Sequence, residues 1–211
     1  MRGSLLTLAG SRRFLPLLAV LSLGAFGDNL FRNALVILIQ FVLIGKLGME
    51  HGGALVVLAP GLFMLPYFLF SGTAGQLADR MDKARLMRWL KFIEIFLMTL
   101  AGAALVRENV PLLMLVLCLA GVQSAFYSPV KYAILPQILG PDDLLAGNAL
   151  AGAALFLSIL LGTIAGGALV LLDQGTWIVA GLMVGVAVLG WVSALFLSIL
   201  LGTIAGGALV L

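Results

Sequence analysis

Charge is what this sequence lacks most. Only 10% of its 211 residues are Asp, Glu, Lys or Arg, while 63% are hydrophobic. A soluble domain carries roughly 25% charged residues, and so few could not cover a surface in water. The mean hydropathy of +1.20 points the same way, to lipid as the solvent. The net charge of +3 is small, and no basic face with interleaved aromatics is present, which excludes nucleic acid as a partner. There is one cysteine, Cys118, in an apolar run. It can form no internal disulfide and says nothing about redox compartment. There is one histidine, His51, in a stretch expected to be an outward loop. No catalytic constellation can be built on it, and no cofactor or metal is expected. A cleavable signal peptide is missing too. Met1 to Arg13 has arginines but no short apolar stretch with a small-residue cleavage site, and the first apolar run passes into an Asn-rich polar stretch.

What the chain does have is long apolar runs. Six are long enough to cross a bilayer of ~30 Å at ~1.5 Å per residue. They fall at about 14–43, 53–76, 86–106, 111–131, 144–172 and 176–199. The breaks carry loop chemistry: a glycine-rich polar stretch from Gly45 to Gly53, Arg107-Glu108-Asn109 before Pro111, Gly140-Pro141-Asp142, and Asp173-Gln174-Gly175. Arg2, Arg12, Arg13, Arg80, Lys83, Arg85 and Arg88 lie on one side of this arrangement, and only Lys46 and Arg107 on the other. Seven against two places the N-terminus and the second loop in the cytoplasm.

Ionisable residues also occur at membrane depth, where each costs a few kcal/mol on insertion scales. Span one holds Asp28, Asn29, Arg32 and Asn33, with Gln40 two turns later on the same stripe. Asp28 and Arg32 are four apart and can pair on one face. A helix of this kind cannot face lipid. It lines a protein interior or a watery cavity, and a purely structural site could use cheaper apolar residues. Span three adds Lys91 and Glu94, structural or gating residues close enough to the cytoplasmic end for Lys91 to snorkel. Span four ends in Gln123-Ser124, Pro129, Lys131 and Pro136, which reads as a broken helix end tolerated only against protein or a cavity. A cation there could meet a phosphate.

Two resemblances follow from these residues. Gly75-Gln-Leu-Ala-Asp79-Arg80-Met-Asp82-Lys83-Ala-Arg85 resembles the G-x-x-x-D-R-x-G-R-R signature between the second and third helices of major facilitator transporters, with Asp82 where that signature usually has glycine. The resemblance implies a gating latch made by Gly75, Asp79, Arg80 and Arg85. From the residues alone, Gly75 would let a helix approach closely and Asp79 would cap the next helix or pair with arginines.

The second resemblance rests on several blocks in order: Arg12-Arg13-Phe-Leu-Pro-Leu, Gly24 to Leu35, Ser71 to Asp79, Gly121 to Tyr132, and Gly147-Asn148-Ala-Leu. Together they resemble the bacterial lysophospholipid transporter family, above all its version fused to an acyltransferase. That resemblance implies an all-α membrane protein, the six-transmembrane-helix N-terminal bundle of a major facilitator fold. It implies flipping of lysophospholipid across the bacterial inner membrane. Asp28 and Lys131 would bind the headgroup, with Asn29, Arg32 and Asn33 beside them. The expected partners are the bilayer, a C-terminal six-helix half and, in the fused version, an acyltransferase domain. Where the family usually has a glutamate and a threonine after Asn148-Ala-Leu, this chain has Gly152 and Leu155. Alternating access needs two bundles, so 211 residues alone are not expected to transport. An enzyme is not expected either: the fused acyltransferases use His-x4-Asp, and the residue five after His51 is Val56. A major facilitator transporter of another amphipathic substrate stays open; a receptor or structural role fits a midplane acid least.

One feature fits no ordinary span. Ala154 to Leu171 recurs without a difference as Ala194 to Leu211, whereas the halves of transporters are diverged repeats. Residues 176–211 would be too long for one span. The chain therefore divides into a cytoplasmic segment 1–13, a bundle 14–193, and a tail 194–211 expected to be non-native. In the first copy Ala154, Ser158, Gly162 and Gly166 recur every four residues, a small-residue ridge for close helix packing.

Overall fold

The computed structural model describes residues 8–43 and 49–207. Arg2, Lys46 and residues 208–211 of the second copy lie outside the described residues. Six long helices follow in order: α1 (Leu15–Ile37), α2 (Met49–Arg80), α3 (Lys83–Val106), α4 (Val110–Ala133), α5 (Leu144–Leu169) and α6 (Gly175–Gly207). All six contain stretches long and apolar enough to cross a membrane, and no strand occurs among the described residues. The chain is an all-α, multi-pass membrane bundle. Helices are the form a single apolar segment takes in lipid, because each satisfies its own backbone groups.

Polar residues between the runs set the helix starts. Asp82 caps α3 by accepting from the Arg85 N–H at 2.7 Å. Asn109 caps α4 by accepting from the Leu112 N–H at 3.1 Å, with Pro111 in the first turn. The α3 cap corrects the expectation for Asp79, which lies one turn earlier and is exposed at the end of α2. Asp82 adopts φ −59°, so the position that usually holds glycine asks for no glycine here. Asp82→Ala is expected to lower the stability of the intact protein by about 1 kcal/mol, read as a lower melting temperature in detergent, while Asp82→Asn keeps the cap and stays near the parent value.

Three other expectations shift. Helix α2 begins at Met49 and runs through Pro60 and Pro66, so His51 belongs to its first turns and not to a loop. Helix α4 runs through Pro129, and the break comes at Ile134, before a single turn at Leu135–Ile138 that contains Pro136. Helix α1 passes into a π-helical segment, Leu38–Leu43, whose wider turn rotates later residues off the α-helical stripe. Gln40 is consequently exposed and leaves the polar face that it was expected to continue.

Helix α1 is central, packing along α5 and α6; α2 packs along α4, and α3 along α4 and α6. The approaches are close where glycine permits. A Cβ on Gly121 of α4 would strike the Phe63 carbonyl of α2, and one on Gly162 or Gly166 of α5 would strike the Phe26 or Leu30 carbonyl of α1. The Gly162 and Gly166 part of the ridge predicted on α5 thus seats against α1. Gly75 differs: nothing lies within 4 Å of the place its Cβ would occupy, so it serves no close approach inside this bundle.

The apolar core comes in two clusters. One holds Leu30 to Leu35 of α1 with Leu38 and Ile39 of the π-helical segment, Leu97 to Leu105 of α3 and Val110 to Ala120 of α4. The other holds Phe14 to Leu21, Leu86 to Leu90 and Val130 to Leu139. On all three helices the interval between the clusters carries the buried polar residues: Asn29, Lys91, Glu94, Gln123 and Ser124. Helix α6 continues unbroken across residues 193 and 194, and Ala194 and Leu197 are buried in the second cluster.

Candidate functional site

The polar layer opens on a cavity of about 590 Å³ inside the bundle. One wall is polar. Helix α1 supplies Asp28, Asn29 and Arg32, helix α3 Lys91 and Glu94, and helix α4 Gln123, Ser124, Tyr127 and Lys131. The rest of the lining is mostly apolar: Phe63, Met64 and Tyr67 of α2, the last with a phenol hydroxyl, and Gly152, Leu155, Phe156 and Ile159 of α5. The positions at which the resembled family has a glutamate and a threonine therefore contribute no polar group to the α5 wall.

Asp28 points into this interior and not toward lipid. Its Oδ2 accepts a hydrogen bond from the Ser124 hydroxyl at 3.2 Å. The expected ion pair with Arg32 is not formed among the described residues. Arg32 donates from Nη2 to the Asn29 Oδ1 at 2.7 Å and from Nε to the Asp28 backbone carbonyl at 3.3 Å. Its guanidinium stacks over the Phe63 ring, 4.4 Å from the centroid. The guanidinium is thus held by an amide and a ring, with no carboxylate in ion-pair contact among the described residues. Asn29 is itself fixed by donation to the Ala25 carbonyl at 2.7 Å. Asn33 does not line the main cavity. It donates to the Asn29 carbonyl at 2.9 Å and to the Thr163 hydroxyl at 3.3 Å, tying α1 to α5 and bordering a smaller cavity of about 200 Å³.

Lys131 lines the main cavity, with Nζ 4.9 Å from the centre of the Tyr132 ring. Lys91 does not snorkel. It is wholly buried, its Nζ 2.7 Å from the Glu94 Oε2. Gln123 donates from Nε2 to that same oxygen and to the Leu90 carbonyl, both at 3.3 Å. The Ser124 hydroxyl lies 3.4 Å from the Gln123 Oε1 as well as near Asp28. A continuous polar chain thus runs from Asp28 through Ser124 and Gln123 to Glu94 and Lys91. Because a hydroxyl has one proton, Ser124 donates either to Asp28 or to Gln123 at any moment.

None of the predicted latch residues lines this cavity. Asp79 and Arg80 are exposed at the end of α2 and Arg85 is exposed on α3. Arg85 borders a separate, almost wholly apolar groove of about 630 Å³ between α3 and α6, beside Arg88, Trp89, Phe92 and Trp191.

The chain is 32% identical over 162 residues to the lysophospholipid transporter LplT of Salmonella arizonae, a match that covers 75% of this chain and 37% of that protein. It is 33% identical over 162 residues to the lysophospholipid transporter LplT of Salmonella heidelberg, covering 75% of this chain and 36% of the relative. The chain belongs to the same family as these transporters. The transporter of Citrobacter koseri matches at 30% identity over 161 residues, again 75% of this chain and 37% of the relative. The chain spans little more than a third of the length of the curated relatives it matches. No protein-family model matches the chain, and no solved structure matches it.

Proposed function

We propose that this chain is the N-terminal half of a twelve-helix transporter that flips lysophospholipid across the bacterial inner membrane, with its N-terminus in the cytoplasm. One observation carries the proposal: a cavity at membrane depth with a polar wall and an otherwise mostly apolar lining, in a chain whose relatives are named lysophospholipid transporters. A charged side chain at that depth is costly unless it serves a polar passenger. Arg32 and Lys131 offer cations to a phosphate, and Asp28 offers a carboxylate to an ammonium. The apolar wall of α2 and α5 suits an acyl chain. Gly75, Asp79, Arg80 and Arg85 act as a latch against the C-terminal half, for which the exposure of Asp79, Arg80 and Arg85 leaves those side chains available.

The test is uptake of labelled lysophosphatidylethanolamine by the full-length transporter in proteoliposomes. Uptake by the parent protein is expected, and its absence would defeat the proposal. Lys131→Ala is expected to lower uptake by roughly tenfold, the factor set by losing about 1.4 kcal/mol of charge-assisted contact, with protein amount in the membrane unchanged. Normal uptake by that variant would remove Lys131 from the site.

A further inference from the structure

The wall of the cavity contains an ion pair with no part in the proposal so far. Lys91 and Glu94 meet at 2.7 Å, with side-chain exposures of 0% and 5%. The pair sits where four helices converge. The Tyr127 ring of α4 lies 4.8 Å from the ammonium, Gly190 of α6 is close by, and a Cβ on Gly24 of α1 would collide with Lys91 Nζ. Stability does not demand such a pair: exchanging a buried ion pair for apolar side chains of similar size is often neutral or favourable. Yet both residues border the cavity, and Gln123 and Ser124 connect Glu94 to Asp28.

We propose that Glu94 is a specificity-determining residue, which masks Lys91 and thereby sets the charge of headgroup that the cavity prefers; the inference rests on the lysophospholipid proposal. The cavity is bordered by three cations, Arg32, Lys91 and Lys131, and two acids, Asp28 and Glu94. Glu94 is committed to Lys91. Arg32 and Lys131 form no ion pair among the described residues; one rests on Asn29 and Phe63, the other on the Tyr132 ring. Asp28 accepts only from a serine hydroxyl among the described side chains. Two cations and one carboxylate are thus left open, matching a phosphate with an ammonium tethered to it. With Lys91 unmasked, a third positive charge would favour a headgroup that has the phosphate but no ammonium. In a membrane interior, where charges are weakly screened, one unmatched charge weighs heavily.

The experiment compares uptake of lysophosphatidylethanolamine with uptake of lysophosphatidylglycerol by the full-length transporter in proteoliposomes. The quantity read is the ratio of the two. Glu94→Gln is expected to lower the ratio by roughly tenfold and Lys91→Met to raise it by roughly tenfold, since one adds a net positive charge and the other a net negative one. The double variant Lys91→Met/Glu94→Gln, neutral like the parent pair, is expected to hold the parent ratio. A pair with only a structural role would reduce uptake of both lipids alike, so unchanged ratios, or ratios moving the same way in both single variants, would overturn the inference. If Glu94→Gln fails to reach the membrane, the rise in Lys91→Met and its cancellation in the double variant decide the matter by themselves. Failure of the parent protein to take up either lipid would instead defeat the transport proposal, and this inference with it.

Discussion

Asp28→Asn in the full-length transporter is expected to cut lysophosphatidylethanolamine uptake by ten- to a hundredfold while leaving the amount of protein in the membrane unchanged. The size follows from what is removed. A carboxylate bound to an ammonium makes a charge-assisted contact of about 1.5–3 kcal/mol, and each 1.4 kcal/mol is roughly tenfold. The fold does not depend on that charge. The one side-chain hydrogen bond that Asp28 accepts among the described residues comes from Ser124, and the asparagine amide oxygen can accept it at the same place. Arg32 loses no hydrogen bond either, because its side chain binds the backbone carbonyl of residue 28 and the side chain of Asn29. Full uptake by Asp28→Asn, measured with membrane protein quantified in parallel, would show that the midplane carboxylate does not hold the passenger.

The second large effect concerns the fold. Gly162→Leu is expected to destabilise the bundle by about 1–3 kcal/mol or more, because overpacking a tight contact forces backbone to move. At this position the obstacle is the carbonyl and Cα of Phe26 in α1, which no side-chain rotation can clear. Helices in lipid gain little from apolar burial and associate through close van der Waals packing. Holding α5 away from α1 therefore removes what joins them. Gly185→Leu makes the matching control: nothing lies within 4 Å of a Cβ there, and the position is an exposed one on α6. Melting of both variants in detergent should show a large drop for Gly162→Leu and little change for Gly185→Leu. Equal stability of the two would contradict the α1 and α5 contact.

The parts of the structure that were legible in the sequence are those that depend on one dimension. Span number and approximate limits follow from apolar length alone, and Asn109 before Pro111 marked the start of α4 correctly. Asp28 was legible because a carboxylate halfway along a span has few places to go. Contacts between helices were less so. Lys91 was near enough to a helix end to snorkel, and only the packing of α1, α4 and α6 around it shows that it turns inward. Ser124 escaped notice as a partner of Asp28, although Gln123, Tyr127 and Lys131 recur every four residues on α4 and could have marked the polar face beside it. Asp28 and Arg32 were expected to pair from spacing alone, but spacing cannot weigh the competing amide of Asn29 and ring of Phe63. The duplicated block makes the limit plain. Leu157 and Leu197 occupy the same place in identical eighteen-residue strings, yet one is 54% exposed and the other 1%. Identical local sequence is buried on different faces because different neighbours are at hand.

The most direct measurement places the passenger itself. A lysophosphatidylethanolamine carrying a photoreactive group on its headgroup would be crosslinked to the full-length transporter in membranes, and the labelled peptides identified by mass spectrometry. Label concentrated on the α1 and α4 segments around Asp28, Ser124 and Lys131, and displaced by excess unlabelled lysophospholipid, is the expected result. Label confined to outward residues such as Phe68 or Phe196, or undiminished by competitor, would mean that the polar layer between the two apolar clusters is not where a headgroup goes.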